Sequence, residues 1–188
     1  MTLLPYLRLS AFGIAAALAA CGAPELRYAA PETAPEVRVS SRYASIEVVE
    51  VSLPTYAADE QIYIQDADGA LAPLGPLWAD DPARSITLQL ARDLGQITGA
   101  QVAAEPWPFR DYAQVKVDVR LEDMRATESG SFVLAGQYYV APDSGGRNRA
   151  GSFRFEAPVA EPGTAAQIAA ARSVVVTQLA ETVARQGL

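Results

Sequence analysis

Catalysis would have few groups to draw on in this chain of 188 residues, which has no histidine, a single cysteine (Cys21) and a single lysine (Lys116). One thiol cannot close an intramolecular disulfide, and without imidazole it lacks partners for an ordinary zinc site. A nucleophilic mechanism would need Ser or Thr beside a lysine or carboxylate base. Lys116 falls at an outward position of an alternating strand, which suits a solvated ammonium. Neither GxSxG nor GxxxxGK[ST] occurs. Asp80-Asp81 precedes Pro82 and an apolar-periodic run, a place where a helix N-terminus attracts carboxylates without catalysis. Asp66-Ala67-Asp68-Gly69 has the opening of a calcium loop but lacks the later ligands and the distal glutamate. Asp-Gly between two short strands is a hairpin signal. The expectation is a protein without catalytic residues, cofactor or metal.

Cys21 has a better explanation in its neighbours. Leu9 to Ala20 is apolar apart from Ser10 and ends in small side chains. It would make about 18 Å of helix against a hydrocarbon core of about 30 Å, so it reads as a secretory signal and not as a span. Leu18-Ala19-Ala20-Cys21 resembles the bacterial lipobox. The thiol is then the nucleophile that takes up diacylglycerol, and small neighbours admit a peptidase to the Ala20–Cys21 bond. Three acyl chains would anchor the chain permanently, since one chain alone binds only marginally. The expected compartment is the Gram-negative periplasm, where a structural thiol would be a liability. The chain accordingly divides into a signal over 1–20, a lipidated N-terminus with a Pro-rich tether over 21–44, and one folded domain over 45–188.

The tether carries Pro24, Pro31 and Pro35 and could hold the domain up to about 50 Å from a bilayer at roughly 3 Å per residue. Arg27-Tyr28 could begin a first strand within it, which would shorten the free part. The chain is half apolar, which supports a core, and its formal net charge of -7 repels phosphate backbones and anionic lipid surfaces. Nucleic acid is therefore excluded as a partner. Strands are expected at "SIEVVEVSL" and "QIYIQ", with the "DADG" turn after the second. A helix follows, capped by Asp81, with Pro82 at its first position, Gly99 at its end, and Ile86, Leu90, Leu94 and Ile97 facing the core. "YAQVKVDVRLE" alternates, with Val115, Val117, Val119 and Leu121 inward. Two more strands lead to a second helix that opens with a capping box, Thr164 and Gln167, and buries Ile168, Val175, Val176, Leu179 and Val183. The sum is an α+β fold, a mostly antiparallel sheet with two main helices on one face.

Leu53-Pro54-Thr55-Tyr56, Gln61-Ile62 and Trp78-Ala79-Asp80, in that order before an alternating valine strand and an Ala-rich C-terminal helix, are similar to the ABC-type transport auxiliary lipoprotein family, the PqiC-like proteins. The resemblance covers roughly residues 45–186. After Tyr56 the chain reads "AADE" where the family pattern has a leucine-aspartate pair. The resemblance implies a non-enzymatic lipoprotein that assists MCE-domain proteins and ABC transporter components in moving lipid or other hydrophobic compounds. It also implies a ring-shaped homo-oligomer and an outer-membrane location. Gly22 after Cys21, in place of the aspartate associated with inner-membrane retention, agrees with that location.

Several residues stand out as contacts or anchors. Trp78 and Tyr56 read as structural anchors. Arg84, Leu88 and Arg92 line the helix face opposite its apolar stripe and are candidate partner contacts. Arg147 and Arg149 sit in the glycine-rich stretch "SGGRNR" and are candidates for the same role. Arg172 falls among the apolar positions of the last helix, which calls for a snorkelling stem, a carboxylate at the sheet edge, or an intersubunit salt bridge. Two other functions compete with docking: a lipoprotein that itself carries lipid in an apolar cavity, and a general envelope-assembly lipoprotein.

Overall fold

The computed structural model describes residues 24–160 and 163–188; Cys21 and the Ala20–Cys21 bond lie outside the described residues. Eight strands and two long helices follow one another as β1 (Arg27–Tyr28), β2 (Ser45–Val48), β3 (Gln61–Gln65), β4 (Leu71–Trp78), α1 (Pro82–Thr98), β5 (Gln101–Ala104), β6 (Val115–Thr127), β7 (Ser131–Pro142), β8 (Arg149–Pro158) and α2 (Ala165–Gln186). The fold is α+β, as the patterning indicates.

β6 is the spine. Its alternating valines commit it to a sheet with one buried face, and Val115, Val117 and Val119 are fully buried. One edge pairs antiparallel with β7 over nearly its whole length, and β7 pairs antiparallel with β8. The other edge is shared, with β2 parallel to its first half and β3 parallel to its second. On that side β3 continues through β4 to β1 and β2 continues to β5, while β8 forms the opposite edge of the sheet. Pro73 and Pro76 are tolerated in β4 because the strand pairs fully on one side only and meets the two-residue β1 on the other.

The inward phase of β6 switches partway along. Leu121 is buried, and the next inward residues are Met124 and Ala126. A bulge between Leu121 and Asp123 supplies the extra residue that keeps the apolar set on the core side. Gly136 lies opposite, where a Cβ would come 2.2 Å from the Arg120 carbonyl oxygen.

β2 is shorter than its β-branched run indicates. After Val48 the chain swings out, the buried Val51 N–H donates to Thr87 Oγ1 of α1 at 2.9 Å, and pairing resumes only at Ser52 beside Arg120. The helices keep the expected signals. Asp81 accepts from the Arg84 N–H, Gly99 ends α1 with φ 69°, and Thr164 and Gln167 form a capping box. Such a cap contributes about 1 kcal/mol. The stripes Ile86, Leu90, Leu94, Ile97 and Ile168, Val175, Val176, Leu179, Val183 are buried, and α1 and α2 also pack on each other.

The proline-rich segment before β2 is extended but docked. The Leu77 and Ala79 N–H groups donate to the Leu26 and Tyr28 carbonyls at 2.9 and 3.0 Å. Ser173 Oγ donates to the Pro31 carbonyl at 2.7 Å and meets Thr33 Oγ1 at 2.8 Å. Val37 and Val39 pack on the core, and the Val39 N–H donates to Ile97 O at 3.0 Å. This strap crosses both helices, so the freely extending part of the tether is shorter than its composition alone suggests.

Gly136→Ala should lower unfolding free energy by about 1–3 kcal/mol, the usual cost of overpacking a fixed site. Urea unfolding with an unchanged slope would register it.

Candidate functional site

The outer face of α1 divides in two. Arg84 is exposed and ion-paired with Asp80 one turn back. With Leu88, which is 44% exposed, it borders a cleft of about 180 Å³ that also contains Glu50, Thr87, Ala104 and Glu105. Arg92, farther along, turns instead to the strap, with Nε 3.3 Å from Asp93 and Nη1 3.9 Å from Glu32. The three residues therefore do not form a single patch.

The two loop arginines also separate. Arg147 is exposed, whereas Arg149 opens β8 and donates from Nη1 to the Gln186 carbonyl at 2.9 Å, tying the sheet to the end of α2. Tyr56 lies in a 3-10 turn, Thr55–Ala57. Its hydroxyl donates to Asp123 Oδ1 at 2.8 Å and accepts from the Met124 N–H at 2.9 Å, so it braces the bulged part of β6. Lys116 is held by the nearly buried Glu47 at 2.9 Å, and that hydrogen bond raises its pKa, which opposes a role as a base.

Trp78 and Arg172 meet beneath the strap. Trp78 is 2% exposed, and the Arg172 guanidinium carbon sits 4.1 Å from its ring centroid. Arg172 is 3% exposed, so it does not snorkel, and it makes no ion pair among the described residues. Its Nε and Nη1 have no hydrogen-bond partner, nor does Trp78 Nε1. Burial lowers the Arg172 pKa to about 10, partly offset by Asp80, so the group stays charged at neutral pH. The ring quadrupole supplies part of the missing compensation. Arg172 and Arg92 both line a cavity of about 180 Å³, walled by Tyr28 to Pro31 of the strap and by Asp80, Ser85 and Gln89 of the α1 side.

Next to it, a buried polar cluster joins the helices. Gln89 Nε2 donates to the Ser173 carbonyl at 2.9 Å, and Thr177 Oγ1 donates to Asp93 Oδ2 at 2.9 Å. Burial raises the pKa of Asp93, and the hydrogen bonds from Thr177 and Gln89 and the Arg92 charge lower it less. Sequence reasoning missed this cluster, because nothing in the residue order reports that Ser173 and Thr177 of α2 lie against Gln89 and Asp93. Their spacing of one helical turn was the only available signal. A separate cleft of about 370 Å³ includes Ile64, Leu74, Val159 and Ile168 along with Thr127 and Glu128.

The described residues thus form one sheet that carries two helices and is crossed by a docked N-terminal strap. Residues 26–184 match the family described as "ABC-type transport auxiliary lipoprotein component", and the chain belongs to that family. No curated protein matches it. Among solved structures, a crystal structure of an uncharacterized protein aligns with TM-score 0.67 and 15% identity, covering 86% of this chain and 98% of the other. A protein from Xanthomonas campestris assigned to DUF330 aligns with TM-score 0.63 and 18% identity, covering 84% and 96%. These likenesses establish the fold.

Asp93 gives a pH test. Its pKa is higher in the folded than in the unfolded chain, so its contribution favours folding below the unfolded carboxyl pKa. That contribution is lost as pH rises through the folded value. Asp93→Asn should therefore gain stability relative to the wild type as pH rises from about 4 towards neutrality. Urea midpoints across that range measure it; parallel curves would contradict it.

Proposed function

We propose that this chain is a lipid-anchored accessory subunit of an MCE/ABC-type transport system that moves phospholipid or another hydrophobic compound, serving as a docking or scaffold subunit and not as an enzyme. The family match over residues 26–184 carries the reading, because it makes the chain an auxiliary component of ABC-type transport. In this account residues 1–20 are a signal peptide, cleavage falls between Ala20 and Cys21, and acylated Cys21 holds the chain at the periplasmic face of the outer membrane. The MCE-domain protein meets Leu88, Arg84 and Arg147. A ring of identical subunits is the assembly proposed.

Strap docking gives this anchor a mechanical meaning. If Cys21 sits in the bilayer and Arg27 in the sheet, the chain between them spans at most roughly 20 Å, from about 3.3–3.6 Å per residue. The body then stands close to the membrane, and partners must approach it there. A large acidic body on a short leash keeps its helix face and loop tip at a nearly fixed height.

Two results are expected. Cys21→Ser should move the protein from the membrane fraction to the soluble periplasm. A photo-cross-linking residue at position 88, activated in intact envelopes, should yield an MCE-domain protein as its main adduct. A β-barrel assembly or peptidoglycan-binding adduct would support the general envelope-assembly alternative instead.

A further inference from the structure

We propose that the cavity beneath the strap is a binding site for one phosphate group, presented by a membrane phospholipid. Arg172 is the observation that carries it. The residue is 3% exposed, its Nε and Nη1 lack hydrogen-bond partners, and it lines a cavity of about 180 Å³. A buried guanidinium without a counter-ion is unfavourable unless something else supplies the negative charge.

The local ion pairs leave Arg172 as the odd cation. Asp80 lines the same cavity, but its carboxylate is taken by Arg84. Asp93 is engaged by Thr177, Gln89 and the neighbouring Arg92. Glu32 is almost fully exposed and 3.9 Å from Arg92. Three arginines face three carboxylates here, so the region is neutral in sum. Arg172 is the one of the three whose guanidinium makes no direct ion pair among the described residues, Asp80 acting on it only through space.

Geometry selects the anion. A single guanidinium fork suits a planar carboxylate, whereas guanidinium donors from two walls suit the several oxygens of a phosphate. Arg172 comes from α2 and Arg92 from α1, and both reach this cavity. Strap residues Tyr28 to Pro31 form the remaining wall. They lie only a few residues beyond Cys21, within about 35 Å of it even when the chain is fully extended. Headgroups of the anchoring membrane are thus within reach. The lipid source rests on the Cys21 anchor proposed above; the phosphate chemistry does not.

Trp78 provides the readout, since it lies under Arg172 and is one of two tryptophans in the chain. In full-length acylated protein carrying Trp107→Phe, Trp78 emission is followed in detergent during titration with inorganic phosphate, short-chain phosphatidylglycerol or acetate. The expected result is a saturable change with the phosphatidylglycerol, tighter than with inorganic phosphate. Arg172→Met should weaken it by about tenfold or more, the scale of one charge-assisted hydrogen bond. Methionine replaces the buried charge at similar volume, and Arg92→Gln at a partly exposed position gives a second variant should the first not fold. Phosphate binding without phosphatidylglycerol binding would keep the phosphate site and overturn the membrane source. Response to acetate alone, no saturable response, or wild-type affinity in both arginine variants would overturn the site. Loss of membrane attachment in Cys21→Ser is read by fractionation, so failure of the anchor and failure of the site are distinguishable.

Discussion

The contact between the strap and the helix pair decides how the rest of the molecule can work. Two backbone hydrogen bonds join Leu26 and Tyr28 to the end of β4, and Ser173 fastens Pro31 and Thr33 to α2. Each bond alone contributes about 1 kcal/mol. Together with the packing of Val37 and Val39 on the core, they turn a proline-rich segment into a fixed brace. Proline helps here, because it lowers the entropy lost on docking and needs no partner for an N–H group. The consequence is mechanical: whatever holds position 21 holds the folded body nearby.

That brace also roofs the one place where a charge is buried without an opposite partner among the described residues. Trp78 closes β4 at the point where β1 pairs, and Arg172 lies across its ring. The inter-helix cluster of Gln89, Asp93, Ser173 and Thr177 borders the same region and satisfies most of its own polar atoms. Fully satisfied networks rigidify a core, whereas a buried polar group left unpaired is costly in a low dielectric. The fold thus concentrates its unsatisfied polarity beneath the strap, while the sheet interior stays apolar.

Much of this architecture could be read from residue order. The alternation of Val115 to Leu121 signalled a half-buried strand, and the Asp81–Pro82 and Thr164–Gln167 starts placed both helices. The reading of β6 stopped at Leu121 for a physical reason: the bulge there inserts a residue, and period-two alternation cannot be followed through it. β2 was read too long because Val49 to Val51 are β-branched or acidic in a strand-like order, yet the Val51 N–H is drawn away to Thr87. β4 was hidden by its two prolines and Gly75, which mask an edge strand. Among the candidate sites, the grouping of Arg84, Leu88 and Arg92 followed helical spacing, but tertiary neighbours divided it. Arg149 was read as a loop tip because nothing in sequence reports the Gln186 carbonyl beside it. Arg172 was visible as an anomaly, while its partner ring belongs to a strand nearly a hundred positions away.

The chain belongs to the transport auxiliary lipoprotein family, and the brace that ties its N-terminal segment to β4 and α2 is the contact on which the proposed role depends. Amide hydrogen exchange on the acylated protein tests that contact most directly. The account predicts strong protection of the Val39, Leu77 and Ala79 N–H groups, comparable to other sheet amides. Exchange of all three at the rate of an unstructured peptide would contradict it, returning residues 26–43 to a free tether.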